Sequence, residues 1–98
     1  MIKIAYHATN HADEIRLSGK IIPARMKNVF LTEEERSAKL YAERMRDYYG
    51  EMEIVEVRYD TKDVERTWRP AYIDGGKVIK LKEGCSAEVV CKCTGDVS

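Results

Sequence analysis

The chain is short of the residues that build disulfide scaffolds and metal sites. It has three cysteines and two histidines in 98 residues. Cys85, Cys91 and Cys93 all fall near the C-terminal end, and an odd number reads as reduced thiols rather than a disulfide framework. His7 and His11 stand at the opposite end, and no zinc-ligand spacing joins the two sets, so no metal is expected. No apolar run approaches the ~20 residues that cross a bilayer as a helix, and no membrane partner is expected. Met1-Ile2-Lys3-Ile4-Ala5-Tyr6 lacks the long apolar stretch of a secretory leader, so the expected location is cytoplasmic. Nor is charge of either sign in excess: seventeen basic residues balance seventeen acidic ones. That balance argues against a non-specific nucleic-acid coat protein, which needs a general attraction to phosphate backbones. There is no repeat and no low-complexity tract.

What is present suits one small folded domain spanning residues 1–98. A hydrophobic share of 44% can build a core, and 35% charged residues can cover it, which excludes intrinsic disorder. Ile2 to His7 reads as a first strand, with Ile2, Ile4 and Tyr6 alternating against Lys3 and Ala5. Asn10 is placed to cap a short helix running to Leu17, and Gly19 to end it. Lys20–Ile22, stopped by Pro23, and Val29–Leu31 read as brief strands. Thr32-Glu33-Glu34-Glu35 has the pattern of a capping box. Ala38, Tyr41, Ala42, Met45 and Tyr49 then recur on one face of a helix spanning Glu33–Tyr49, which Gly50 ends. Met52–Tyr59 is a strand with Val55, Val57 and Tyr59 on one face. Asp60–Arg69 is less regular, with room for one helical turn. Ala71–Ile73 and Val78–Leu81 flank Asp74-Gly75-Gly76 as a hairpin. Ala87–Cys93 is a last strand. The expected class is α+β, a small curved or split antiparallel-rich sheet with one main helix and one short one.

The order of certain fragments adds to this. Tyr6-His7-Ala8-Thr9 ends the first strand and precedes a short helix. Val29-Phe30-Leu31-Thr32 ends a later strand and opens a helix bearing Ser37-Ala38-Lys39-Leu40-Tyr41. A Val-Glu-Val-rich strand and a late strand with Glu88 follow. This succession, from Tyr6 to about Val90, resembles the ADP-ribosyltransferase fold, including its poly-ADP-ribose polymerase and RNA 2′-phosphotransferase branches. Gly19 to Leu31, with Ile22-Pro23 and Arg25, and the Tyr72–Leu81 segment are similar to the phosphotransferase branch in particular. The resemblance implies a cleft for NAD, as substrate, or for an ADP-ribose-like nucleotide. His7 would then hydrogen-bond a ribose, and the backbone around Ala8 would hold the carboxamide. Thr9 would share the pocket and Arg25 its rim. Tyr41 would stack on nicotinamide, and Glu88 would be the carboxylate that steadies an oxocarbenium-like centre.

Three functions follow from that resemblance. One is a minimal ADP-ribosyltransferase or NAD-cleaving enzyme with a protein, nucleic-acid or small-molecule acceptor. Another is a non-catalytic nucleotide-binding module, and the third a small inhibitor that binds a protein. Ala8 stands where glycine is usual, and Phe30 where the polymerase branch has tyrosine, which keeps the second and third in play. Each residue also has a plainer role. His7 suits a structural histidine, Tyr41 lies on the apolar stripe, Glu88 suits a solvated strand face, and Arg25 a surface turn. Exposed edges of so small a sheet would be covered by pairing of two copies.

Overall fold

Two eight-residue strands form the centre of the fold, Ile2–Thr9 (β1) and Glu53–Asp60 (β4). They pair antiparallel over their full length, from Ile2 opposite Asp60 to Thr9 opposite Glu53. The computed structural model describes residues 1–21 and 28–90, with Tyr72 as backbone alone. In chain order the other elements are α1 (Ala12–Ser18), β2 (Lys20–Ile21), β3 (Phe30–Thr32), α2 (Glu35–Arg44), α3 (Arg46–Tyr49), β5 (Val64–Trp68), β6 (Val78–Leu81) and β7 (Ala87–Val89). The strands make one seven-stranded sheet in the order β2-β7-β4-β1-β3-β6-β5, with every pairing antiparallel. The chain is thus a small α+β domain with an antiparallel sheet and few helices. The expected Ile22, Pro23, Arg25, Cys91 and Cys93 positions lie outside the described residues.

Cross-strand partners share a face, so the register sorts the side chains. Ala5 opposite Val57 and His7 opposite Val55 define one face. Those two valines and Ala5 are buried together with Leu31, Tyr59, Ile79, Leu81 and Ala87, and with Ala12 and Ile15 of α1 packed against them. This is the core face, and each large aliphatic side chain sealed there contributes about 1.5–3 kcal/mol. Tyr6 opposite Thr32, Thr32 opposite Val78, and Val78 opposite Trp68 define the other face. Helix α2 lies on this second face, against β1, β3, β4 and the single-turn segment Ala71–Ile73. Its Ala38 is buried with Ile73 and Val78 outside the core cluster. Gly76 backs directly onto Ser37, so that a Cβ there would fall on the serine side chain.

Several sequence expectations are corrected by the packing. In β1 it is Ala5 that is fully buried, while Ile2 and Ile4 are 60% and 42% exposed. The small methyl is selected opposite Val57 in the core, while Ile2 and Ile4 stand on the second face opposite Asp60 and Arg58. The cap position of α1 is His11 rather than Asn10. Asn10 instead donates to the Tyr49 carbonyl, and the Thr9 hydroxyl accepts from the His11 amide at 2.9 Å. Gly19 does end α1, at φ 85°, with its N–H on the Ile15 carbonyl. Thr32 makes no capping box because it belongs to β3. Its hydroxyl sits between the Tyr6 and Glu34 carbonyls and donates to them, so it is not turned toward the helix amides.

The long helix is two helices, divided at Met45. Its buried line runs through Ser37 and Ala38, leaving Ala42 and Met45 half-buried. The Ala71–Ile73 segment is a single 3-10 turn rather than a strand, and the hairpin partner of β6 is β5, which follows a 3-10 turn at Thr61–Asp63.

Candidate functional site

Val-Glu-Arg-Thr-Trp, the sequence of β5, is the outermost strand beside β6. In a regular strand Val64, Arg66 and Trp68 would share a face. A register shift between Val64 and Arg66 changes that. Val64 stands opposite Leu81 and packs on the core, whereas Arg66 and Trp68 stand opposite Lys80 and Val78 on the second face. One extra residue in an edge strand thereby re-aims two side chains. Phe30 of β3 also pairs with Lys80, so its ring joins them.

The result is an aromatic and cationic platform beside α2. The Phe30 and Trp68 rings meet edge to face, with centroids 6.3 Å apart and planes at 88°. The Arg66 guanidinium lies 4.4 Å from the Trp68 ring centroid, and the Lys80 ammonium 6.0 Å from that of Phe30. Both distances are within reach of an aromatic quadrupole. Glu65, at the shift in register, holds Lys80 at 3.0 Å through Oε2. Arg66 has no carboxylate partner among the described residues. Chemically this surface offers π faces for a planar ring, one uncompensated guanidinium for an anion, and a carboxylate for hydroxyl or amine donors.

Of the residues singled out in the sequence, Ala8 and the helix bearing Tyr41 share the face of this platform, whereas His7 and Thr9 do not. Ala8, two positions beyond Tyr6, lies on the platform side of β1 and is half-buried. His7 and Thr9 alternate to the core side. The Phe30 carbonyl can only accept, so His7 Nδ1 carries the proton of their 2.9 Å hydrogen bond. Burial lowers the imidazole pKa below its usual value, and the bond to Phe30 opposes this more weakly. His7 is therefore neutral near pH 7 and holds the start of β3, the strand whose Phe30 ring faces the platform. Thr9 is buried and its hydroxyl is used at the entry to α1.

Tyr41 is half-buried on α2, so its helix and the His7 side chain occupy opposite faces of the sheet. The structure does not bring those two rings into one pocket. Glu88 is exposed in β7, opposite Arg58 and Lys20. With β4 and β1 intervening, β7 and β3 are roughly 14 Å apart at ordinary strand spacing.

The concavities of the described surface include one of about 380 Å³ beside Arg16, Glu56 and Val89 and one of about 170 Å³ beside Ala42, Arg46 and Met52. Neither is lined by His7, Ala8, Thr9, Tyr41 or Glu88. Among the described residues no three His, Cys, Asp or Glu side chains gather as a metal site, and no helix is long and apolar enough to cross a membrane.

Trp68, Arg66, Lys80 and Glu65 were not legible as a site in the sequence. The alternation of a regular strand places Val64 with Trp68, and only the bulge separates them. A usable signal was the one tryptophan of the chain standing two residues from an arginine in a polar, β-branched stretch. Comparison with protein families, with curated proteins and with solved structures returns no match.

Proposed function

We propose that the domain binds a nucleotide of the NAD or ADP-ribose class on the face that carries α2, as an ADP-ribosyltransferase-like module that binds rather than cleaves. The observation that carries the reading is the Phe30–Trp68 pair with Arg66 and Lys80 over its rings. Planar bases stack on such rings, and each stack contributes about 1–3 kcal/mol. The three segments behind the family resemblance support it further. β1, β3 and α2, which bear Tyr6–Thr9, Phe30–Thr32 and Ser37–Tyr41, are mutual neighbours. Tyr41 and Ala8 border the same face.

Binding is preferred to cleavage because of where the carboxylate stands. A group that stabilises an oxocarbenium-like centre must lie within a few ångströms of it. Glu88 is on the same sheet face but across two intervening strands from Phe30. A nicotinamide stacked on the aromatic pair would be out of its reach.

Trp68 is the one tryptophan in the chain, so its fluorescence reports on this face directly. Titration with NAD and with ADP-ribose is expected to change Trp68 emission saturably, without nicotinamide release. Nicotinamide release by the wild type would replace the module with an enzyme. Absence of any response, in fluorescence and in calorimetry, would remove the nucleotide reading altogether.

A further inference from the structure

Arg66 and Glu65 are adjacent in sequence, yet the irregularity in β5 gives them different tasks. Glu65 is half-exposed, with one oxygen on Lys80 and none of its remaining capacity used by a described residue. Lys80 is thereby neutralised and held near Phe30. Arg66 is exposed and rests on the indole without any carboxylate to balance it. An anion reaching this surface therefore meets in Arg66 a positive charge without a carboxylate partner among the described residues, and it is a guanidinium, whose planar fork suits phosphate oxygens. When Arg66 turns to a phosphate, it uncovers the indole face for a base. The free oxygen of Glu65 is an acceptor only, suited to the hydroxyls of a ribose, as carboxylates serve in dinucleotide folds.

We propose that the Glu65–Arg66–Trp68 constellation selects phosphorylated ribonucleotides, with Trp68 taking the base, Arg66 the phosphate nearest the sugar and Glu65 the ribose hydroxyls. This rests on the nucleotide reading of the platform and goes beyond it by naming what is discriminated and by which residues. Unphosphorylated nucleosides lose the Arg66 contact, and deoxyribonucleotides lose the hydroxyl that Glu65 accepts. Inorganic phosphate alone lacks a ring to stack and is a poor ligand.

The test is a calorimetric and Trp68-fluorescence titration of the full chain with AMP, adenosine, 2′-deoxy-AMP and inorganic phosphate. AMP is expected to bind about tenfold more tightly than adenosine, the equivalent of 1.4 kcal/mol, and several-fold more tightly than 2′-deoxy-AMP. Arg66→Met should abolish the difference between AMP and adenosine. Glu65→Gln should shrink the difference between AMP and 2′-deoxy-AMP while the preference for a phosphate remains. Equal affinity of the wild type for AMP, adenosine and 2′-deoxy-AMP would overturn this selectivity and leave the stacking platform standing. No binding of any of these, nor of NAD, would overturn the platform itself. The ligand series on the wild type decides the matter even where a variant fails to fold.

Discussion

Phe30 and Trp68 touch edge to face although the strands that carry them, β3 and β5, are not neighbours. β6 runs between them, and the rings meet across it because both project from the same face of the sheet. Their contact is thus made over a strand rather than between paired residues. That arrangement fixes the outermost strand against the middle of the sheet.

A double-mutant cycle measures that contact. Phe30→Leu and Trp68→Leu should show a coupling of about 0.5–1.5 kcal/mol in urea unfolding, the ordinary value of an aromatic pair. Additive effects would mean that the rings do not stabilise one another.

Gly76 and Ser37 make a second close approach. A Cβ at Gly76 would lie on the serine hydroxyl and 2.7 Å from Ser37 Cβ. Gly76→Ala should therefore destabilise by about 1–3 kcal/mol. Ser37→Ala should relieve it in part, since the hydroxyl, the nearest atom, is removed while the Cβ remains. Ser37→Ala alone removes a buried hydroxyl without a hydrogen-bond partner among the described residues, and should be neutral or stabilising by up to about 1 kcal/mol. No relief of the glycine variant by Ser37→Ala would refute the stated contact.

The face of α2 can be tested by charge. Ala38 is 1% exposed, so Ala38→Asp should cost about 3–5 kcal/mol, as expected for an unpaired buried charge. Ala42 is half-buried at the helix margin, and Ala42→Glu should cost far less because the side chain can reach water. Equal thermal shifts would show a different face against the sheet.

His7 gives a pH dependence. Its folded pKa lies below the usual imidazole value of about 6.5. Between those two values the unfolded chain binds a proton that the folded chain does not. The contribution of the neutral ring is therefore fully present above about 6.5 and is lost as pH falls through the lowered folded value. Unfolding free energy measured from pH 8 to pH 5 should decline on the acid side, and His7→Gln should flatten that part of the profile. A profile unchanged by His7→Gln would place the acid sensitivity elsewhere.

Glu88→Gln should leave NAD affinity unchanged, because β7 is remote from the platform. Weakened binding in this variant would bring Glu88 back into the site.

The sequence by itself determined the class of the fold, the strand β4 with its buried Val55, Val57 and Tyr59, the end of α1 at Gly19 and the existence of a helix through Ala38 and Tyr41. These are local signals, carried by period-2 or period-3.6 patterning and by a glycine that tolerates positive φ. Tertiary structure decided which face is buried in β1, β3 and β5. Ala5 is buried because it joins Val55 and Val57 of β4 in the core, while Ile4 stands on the other face opposite Arg58 and is exposed. Thr32 serves a strand rather than a cap because β3 pairs on both of its edges. The platform exists because a single bulge in β5 turns Arg66 and Trp68 away from the core that Val64 enters, and pairing with β6 creates that irregularity. No spacing within Val-Glu-Arg-Thr-Trp encodes it, since a change of register is a property of two strands and not of one.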